Sequence, residues 1–290
     1  MISRESFSTL LANGPLLMDG ATGSNLLKAG MPRGVCVEEW IFNNPEHLCN
    51  LQRAYVEAGS DIIYAPTFQA NPAILRGFNL EAETENINAR LVALTRSVAG
   101  QALVAGSMTT MSTCANPKNP KNFEWMISMY RRQIRGLIDG GADLIAAETL
   151  CYPEDAEAVL TAAELEGVRS CMFTFIVGTA GYLPSGDEAG KAFKQLESLG
   201  ALAVGFNCVK ADSCTATLTA SLKAHMDGPL VCKPNAGSPT IKDDGLVEYS
   251  MGPEEFAGIV HSCWHAGASI IGGCCGTDPT FIKAVAEMLK

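Results

Sequence analysis

The 290-residue sequence predicts an α/β protein built as a single closed (β/α)8 TIM barrel, and three observations carry that expectation. A unit recurs in which a glycine leads through small residues into an apolar run and a polar turn. It is read in EAGSDIIYAPT at 57–67, DGGADLIAAET at 139–149, SLGALAVGFNC at 198–208 and HAGASIIGGCC at 265–275. Four further apolar runs alternate with these: PLLMDGA at 15–21, QALVAGS at 101–107, SCMFTFIV at 170–177 and PLVCKPNA at 229–236. The segments between them read as helices.

Each element follows from its residues. The recurrent glycines suit helix C-caps, where a left-handed residue costs glycine little. The near-continuous apolar runs suit strands covered on both faces, as in a parallel sheet. Helices are expected at 45–58, 80–99, 121–140, 153–166, 187–199, 212–226, 253–266 and 278–289. Pro45, Pro153, Pro253 and Pro279 stand in first turns, where a missing N–H does no harm. Eight strands alternating with eight helices are the tally of a barrel, with a doubly wound open sheet as the alternative. No linker divides the chain, so residues 1–290 are expected to form one domain.

Composition narrows the function classes. Hydrophobic residues make up 47% and charged residues 18%, enough for a large core. The net charge is −10 and the longest basic run is Arg131-Arg132, which speaks against nucleic acid or an anionic membrane as partner. The opening MISRESFSTLLANG lacks the apolar stretch of a signal peptide, and no apolar run reaches membrane-spanning length. A cytoplasmic protein is expected. Eleven scattered cysteines do not resemble a disulfide framework. Most read as small core residues, with Cys171 and Cys232 in strands and Cys49, Cys214 and Cys263 in helices.

A barrel places its chemistry at the C-terminal ends of its strands. Those ends read Asp19-Gly20-Ala21, Pro66-Thr67-Phe68, Ser107-Met108-Thr109, Glu148-Thr149, Phe175-Ile176, Asn207-Cys208, Pro234-Asn235-Ala236 and Cys274-Cys275. Cys208, Cys274 and Cys275 therefore fall on one rim. A disulfide between Cys274 and Cys275 is disfavoured, because trans neighbours have Cα atoms about 3.8 Å apart, below the usual range of about 4.4–6.8 Å. Three thiolates suit zinc and leave a fourth coordination position open, the pattern of a catalytic site. Three incidental core cysteines are the alternative. His47, His225, His261 and His265 fall on helical stretches and read as surface or packing residues. Glu148, closing an apolar strand, is costly to bury without a partner.

GFNC at 205–208 with GGCCGTDP at 272–279 is similar to the zinc motif of the homocysteine S-methyltransferases. MDGATGSNLL at 18–27, EAGSDIIYAPTFQAN at 57–71, AAETL at 146–150 and KPNAGSP at 233–239 resemble successive strand-end motifs of that family, in the same order. The resemblance runs from Leu16 to the C-terminus. It implies a zinc-containing barrel in which Cys208, Cys274 and Cys275 bind Zn2+ and act through it. It also implies a homocysteine site at Asp19, Gly20, Thr67 and Glu148, with Asn235 close to the metal. The activity implied is methyl transfer to homocysteine, giving methionine; another thiol or selenol as acceptor and a non-catalytic zinc module are the alternatives.

The loop after the third strand, GSMTTMSTCANPKNP, lacks the family's Gly-Pro-rich turn, and Pro66 stands where the family often has Asn. These differences bear on the methyl donor. Two donors are expected on equal terms, a small sulfonium or ammonium compound and a separate corrinoid protein.

Overall fold

The computed structural model describes residues 1–241 and 247–290. Among these, eight parallel strands form one sheet: β1 (Leu16–Leu17), β2 (Ile62–Ala65), β3 (Leu103–Thr109), β4 (Leu144–Leu150), β5 (Cys171–Phe175), β6 (Ala203–Lys210), β7 (Leu230–Asn235) and β8 (Ala268–Ile271). From β2 to β8 each strand pairs with the next, and β8 pairs back onto β1, with Leu16 opposite Ile270. An isolated parallel bridge between Met18 and Ile62 closes the ring. The expected barrel is present.

The barrel helices are α1 (Pro45–Glu57), α2 (Thr84–Arg96), α3 (Pro120–Asp139), α4 (Pro153–Leu165), α5 (Ala189–Ser198), α6 (Thr215–Lys223), α7 (Pro253–His265) and α8 (Pro279–Met288). Five lie within one residue of their expected segments at either end, while α2, α5 and α6 are shorter than expected by two to four residues at one end or both. The trimming is largest at 80–99, where a 3-10 turn over Glu81–Glu83 precedes α2.

Strand alternation separates two layers. Ile62, Ala105, Ala146, Met172, Val231 and Ile270 pack in one buried cluster inside the barrel. Their chain neighbours Ile63, Val104, Ile145, Phe173, Cys232 and Ile271 pack outward under the helices. This follows from the period of two along a strand. Continued upward, the inward positions become Ser107, Glu148, Asn207 and Lys233, so the lumen turns polar at its C-terminal end.

Several elements lie outside the eight-fold pattern. The helix Arg4–Leu11 covers the N-terminal mouth, capped by Ser3, whose Oγ accepts from Ser6 N–H. Its Phe7 joins the interior cluster. Arg4 donates to the carbonyls of Gly200 and Ala201, and Ile2 N–H donates to Asp143 O at 2.7 Å. Short helices Gly23–Lys28 and Val37–Asn43 follow β1, and an antiparallel hairpin of Pro239–Ile241 with Val247–Tyr249 follows β7. One expectation is corrected: Cys214 is exposed at the N-cap of α6 rather than in the core, whereas Cys49, Cys171, Cys232 and Cys263 are buried. No helix among the described residues is long and apolar enough to cross a membrane.

Candidate active site

Two irregularities shape the rim. Pairing register shifts between Ala147 and Leu150 in β4 and between Asn207 and Lys210 in β6. Within these bulges Thr149 (φ 62°) and Cys208 (φ 55°) adopt the left-handed conformation. For a β-branched residue such as Thr149 this is a strained state that surrounding contacts must hold. Asn207 supplies them: its Oδ1 accepts from Thr149 N–H at 2.9 Å and its Nδ2 donates to the Thr149 hydroxyl at 2.8 Å. Bulges re-aim side chains at strand ends, and here Cys208 is turned toward the end of β8.

There it meets the other two cysteines. The sulfurs of Cys208, Cys274 and Cys275 all lie within 4.8 Å of one another. Cys208 Sγ is 2.7 Å from Cys274 Sγ and 3.8 Å from Cys275 Sγ. Neither distance is a disulfide bond, which measures about 2.03–2.05 Å. The longer separation is what two zinc–sulfur bonds of about 2.3 Å at a tetrahedral angle would span. The three-cysteine cluster can hold a metal ion.

The backbone of the pair is fixed by strand β7. Cys274 N–H donates to Pro234 O at 2.8 Å, and Cys275 N–H donates to Asn235 Oδ1 at 3.0 Å. Asn235 Nδ2 donates to Cys208 O at 3.2 Å, so one amide ties both cysteine-bearing strand ends. Gly276, at φ +84°, has its Cβ position 2.2 Å from the Tyr249 ring, which no side chain could share. Tyr249, at the end of the hairpin, packs against Gly276 beside the cluster. The neighbouring Cys208 and Cys274 thiols, helped by Tyr249, pull the Cys275 thiol down to about 3 against burial. Cys208 is eased by Cys274 but pushed up to about 12 by Cys275 and burial.

A cavity of about 280 Å³ opens beside the cluster. All three cysteines, Glu148, Gly20 and Lys233 stand on its wall. Glu148 Oε1 accepts from Ser107 Oγ at 2.7 Å. Burial raises the Glu148 carboxyl above its ordinary range, and Lys233 is the largest opposing influence. Asp19 lies just behind the wall, 1% exposed, with its Oδ2 accepting from Tyr64 N–H at 2.7 Å. Burial raises it too, again opposed first by Lys233. Asp19 therefore ties the first strand end to β2 and to Lys233. The Lys233 ammonium is 3.6 Å from Asp19 Oδ1 and 3.8 Å above the Tyr64 ring. Burial favours its neutral form, but the charges of Asp19 and Glu148 overcome this and hold its pKa above the ordinary lysine value.

Two expected site residues sit differently. Thr67 is wholly buried, with its hydroxyl donating to Ser107 O at 2.8 Å, and it is not on the cavity wall. Asn235 lies behind the cysteines, with both amide atoms engaged as described above. Among the described residues no histidine lines the cavity; His261 and His265 contact each other on α7. Sequence reasoning missed Lys233, Asn207 and Tyr249. For Lys233 a signal existed: a lysine inside the apolar run PLVCKPNA needs a buried partner as much as Glu148 does.

The family model described as homocysteine S-methyltransferase matches residues 16–289. Methionine synthase from Mycobacterium leprae is 29% identical over 298 residues, which cover 95% of this chain and 24% of the relative. That from Mycobacterium tuberculosis is 28% identical over 299 residues, covering 96% and 25%. The chain thus spans about a quarter of the length of these relatives. The metallated form of the homocysteine methyltransferase MmuM from Escherichia coli aligns with a TM-score of 0.80 at 26% identity, covering 97% of this chain and 98% of that one. The tryptophan synthase alpha chain from Legionella pneumophila, at a TM-score of 0.54 and 14% identity, shares the fold alone.

Proposed function

Because the chain belongs to the homocysteine S-methyltransferase family, we propose that it transfers a methyl group to the thiol of homocysteine, giving methionine, with zinc held by Cys208, Cys274 and Cys275. The observation that carries this reading is the convergence of those three sulfurs within 4.8 Å beside a cavity with buried charged side chains. Three soft anionic donors suit zinc and leave a position for a fourth ligand. A site built of free thiols suits the cytosol, where thiols stay reduced.

The chemical problem is the acceptor's reactivity. A free aliphatic thiol has a pKa of about 8.5, so little of it is nucleophilic thiolate at neutral pH. Zinc, when bound, supplies the acidity that takes a thiol to thiolate. The chain's own residues do the rest. Glu148, fixed by Ser107 and standing on the wall, receives the substrate ammonium, with Asp19 adding negative charge behind it. Gly20 lets the first strand end pack tightly against Thr277 and Tyr55, since a Cβ there would lie 2.6 Å from Thr277 Oγ1 and 2.7 Å from the Tyr55 hydroxyl. Thr67 and Asn235 act by bracing, Thr67 holding β3 and Asn235 holding the two cysteine-bearing strand ends. A non-catalytic zinc module would have no need of a buried carboxylate turned into the cavity.

The methyl donor is a small sulfonium or ammonium compound or a methylcorrinoid on a separate protein, and one experiment separates them. Zinc-loaded protein is incubated with homocysteine and S-methylmethionine, S-adenosylmethionine, betaine or methylcobalamin, free and protein-bound, and methionine is measured. Formation from one donor supports the reading and identifies that donor. No methionine from any of them sinks it.

A further inference from the structure

A buried lysine ammonium needs anionic or hydrogen-bonding partners. Lys233 is 2% exposed, yet its nearest carboxylate oxygen, Asp19 Oδ1, lies at 3.6 Å, beyond hydrogen-bond length. Asp19 Oδ1 itself makes no hydrogen bond. The Tyr64 ring beneath the ammonium satisfies it only through its π face. The side chain nevertheless reaches the cavity wall, where it is the one lysine or arginine among the described residues. Glu148 stands on the same wall and the three sulfurs at its edge.

We propose that Lys233 anchors the carboxylate of the thiol substrate and thereby makes the site selective for α-amino-acid thiols. The inference rests on the thiol-acceptor reading above and names the residue that recognises the acid end. A carboxylate at Nζ gains charge-assisted hydrogen bonds that Asp19, at 3.6 Å, does not take up. Glu148 is left for the ammonium. A zwitterion read at both ends adds no net charge to the cavity, whereas a thiol acid or a thiol amine adds one. The Thr67 hydroxyl, committed to Ser107 O, has no part in this recognition.

The test reads binding without a methyl donor. Protein loaded with Co2+ in place of zinc is titrated with homocysteine, with 3-mercaptopropylamine, which lacks the carboxylate, and with 4-mercaptobutyrate, which lacks the ammonium. The thiolate-to-cobalt absorption band reports occupancy. Lys233→Met is expected to weaken homocysteine and 4-mercaptobutyrate by at least about tenfold and to leave 3-mercaptopropylamine within about twofold. Lys233→Gln, which fills the same space with a neutral side chain and leaves Asp19 and Glu148 in place, shows the same pattern where Lys233→Met does not fold. Unchanged homocysteine affinity, or an equal loss for all three thiols, overturns the assignment. Wild-type protein that binds carboxylate-bearing thiols through Lys233 but makes no methionine leaves the anchor standing and overturns methylation alone. Absence of thiol binding by the wild type overturns both.

Discussion

Asn207 carries a large share of the site through one amide. Its two bonds to Thr149 hold a β-branched residue at φ 62°, and its Nδ2 also faces Glu148 Oε2 at 3.5 Å and Cys274 Sγ at 3.7 Å. Asn207→Ala strands a buried N–H and releases the strained turn, so a loss of about 1–3 kcal/mol is expected in urea unfolding. Weaker thiol binding should accompany it, because Glu148 and Thr149 are neighbours on β4. The three cysteines were legible in the sequence because adjacent cysteines among glycines are rare and strand ends are countable. Asn207 was not, since an asparagine at a strand end reads as a turn former. Lys233 escaped because its partners, Asp19 and Glu148, come from other strands of the closed barrel. Thr67 was placed on the right strand end, but its inward neighbour Ser107 could not be seen to claim the hydroxyl.

Among the elements, the helix Arg4–Leu11 is the clearest addition to the expected pattern. Phe7 is its one buried residue, so no apolar stripe announced it. That single ring seals the interior cluster, and Phe7→Ala should cost about 3–5 kcal/mol, read as a lowered midpoint in thermal unfolding. The unusual loop after β3 is anchored by Asp155 near the start of α4, which accepts from Thr110 and Tyr130. Burial pushes the Asp155 carboxyl up to about 6, against those hydrogen bonds. Its folded pKa thus exceeds the unfolded value of about 3.9, and the folded state binds the extra proton. The contribution is fully present below about pH 4 and is lost as pH rises through about 6. Wild-type stability should therefore fall relative to Asp155→Asn across that window, by up to about 3 kcal/mol. A constant difference between the two proteins from pH 4 to 7 would refute this. The strands themselves were legible from their apolar runs, but not which residues face inward. In a sheet covered on both faces, alternation leaves no hydrophobic trace.

For the whole molecule, the barrel brings β6 and β8 to one rim with only β7 between them, and Asn235 of β7 binds both. The eight-fold repeat was readable because glycine and proline punctuate it; the plug helix, hairpin and bulges that finish the site were not, because they break the repeat. The central claim is that three thiolates hold a zinc ion with a place open for the substrate's sulfur. X-ray absorption at the zinc edge of the loaded protein tests it most directly, by counting sulfur ligands with and without homocysteine. The expected count is three sulfurs with one lighter ligand, rising to four sulfurs when homocysteine is added, and falling by one in Cys208→Ser. Fewer than three sulfurs in the wild type, or no added sulfur with homocysteine, would contradict it.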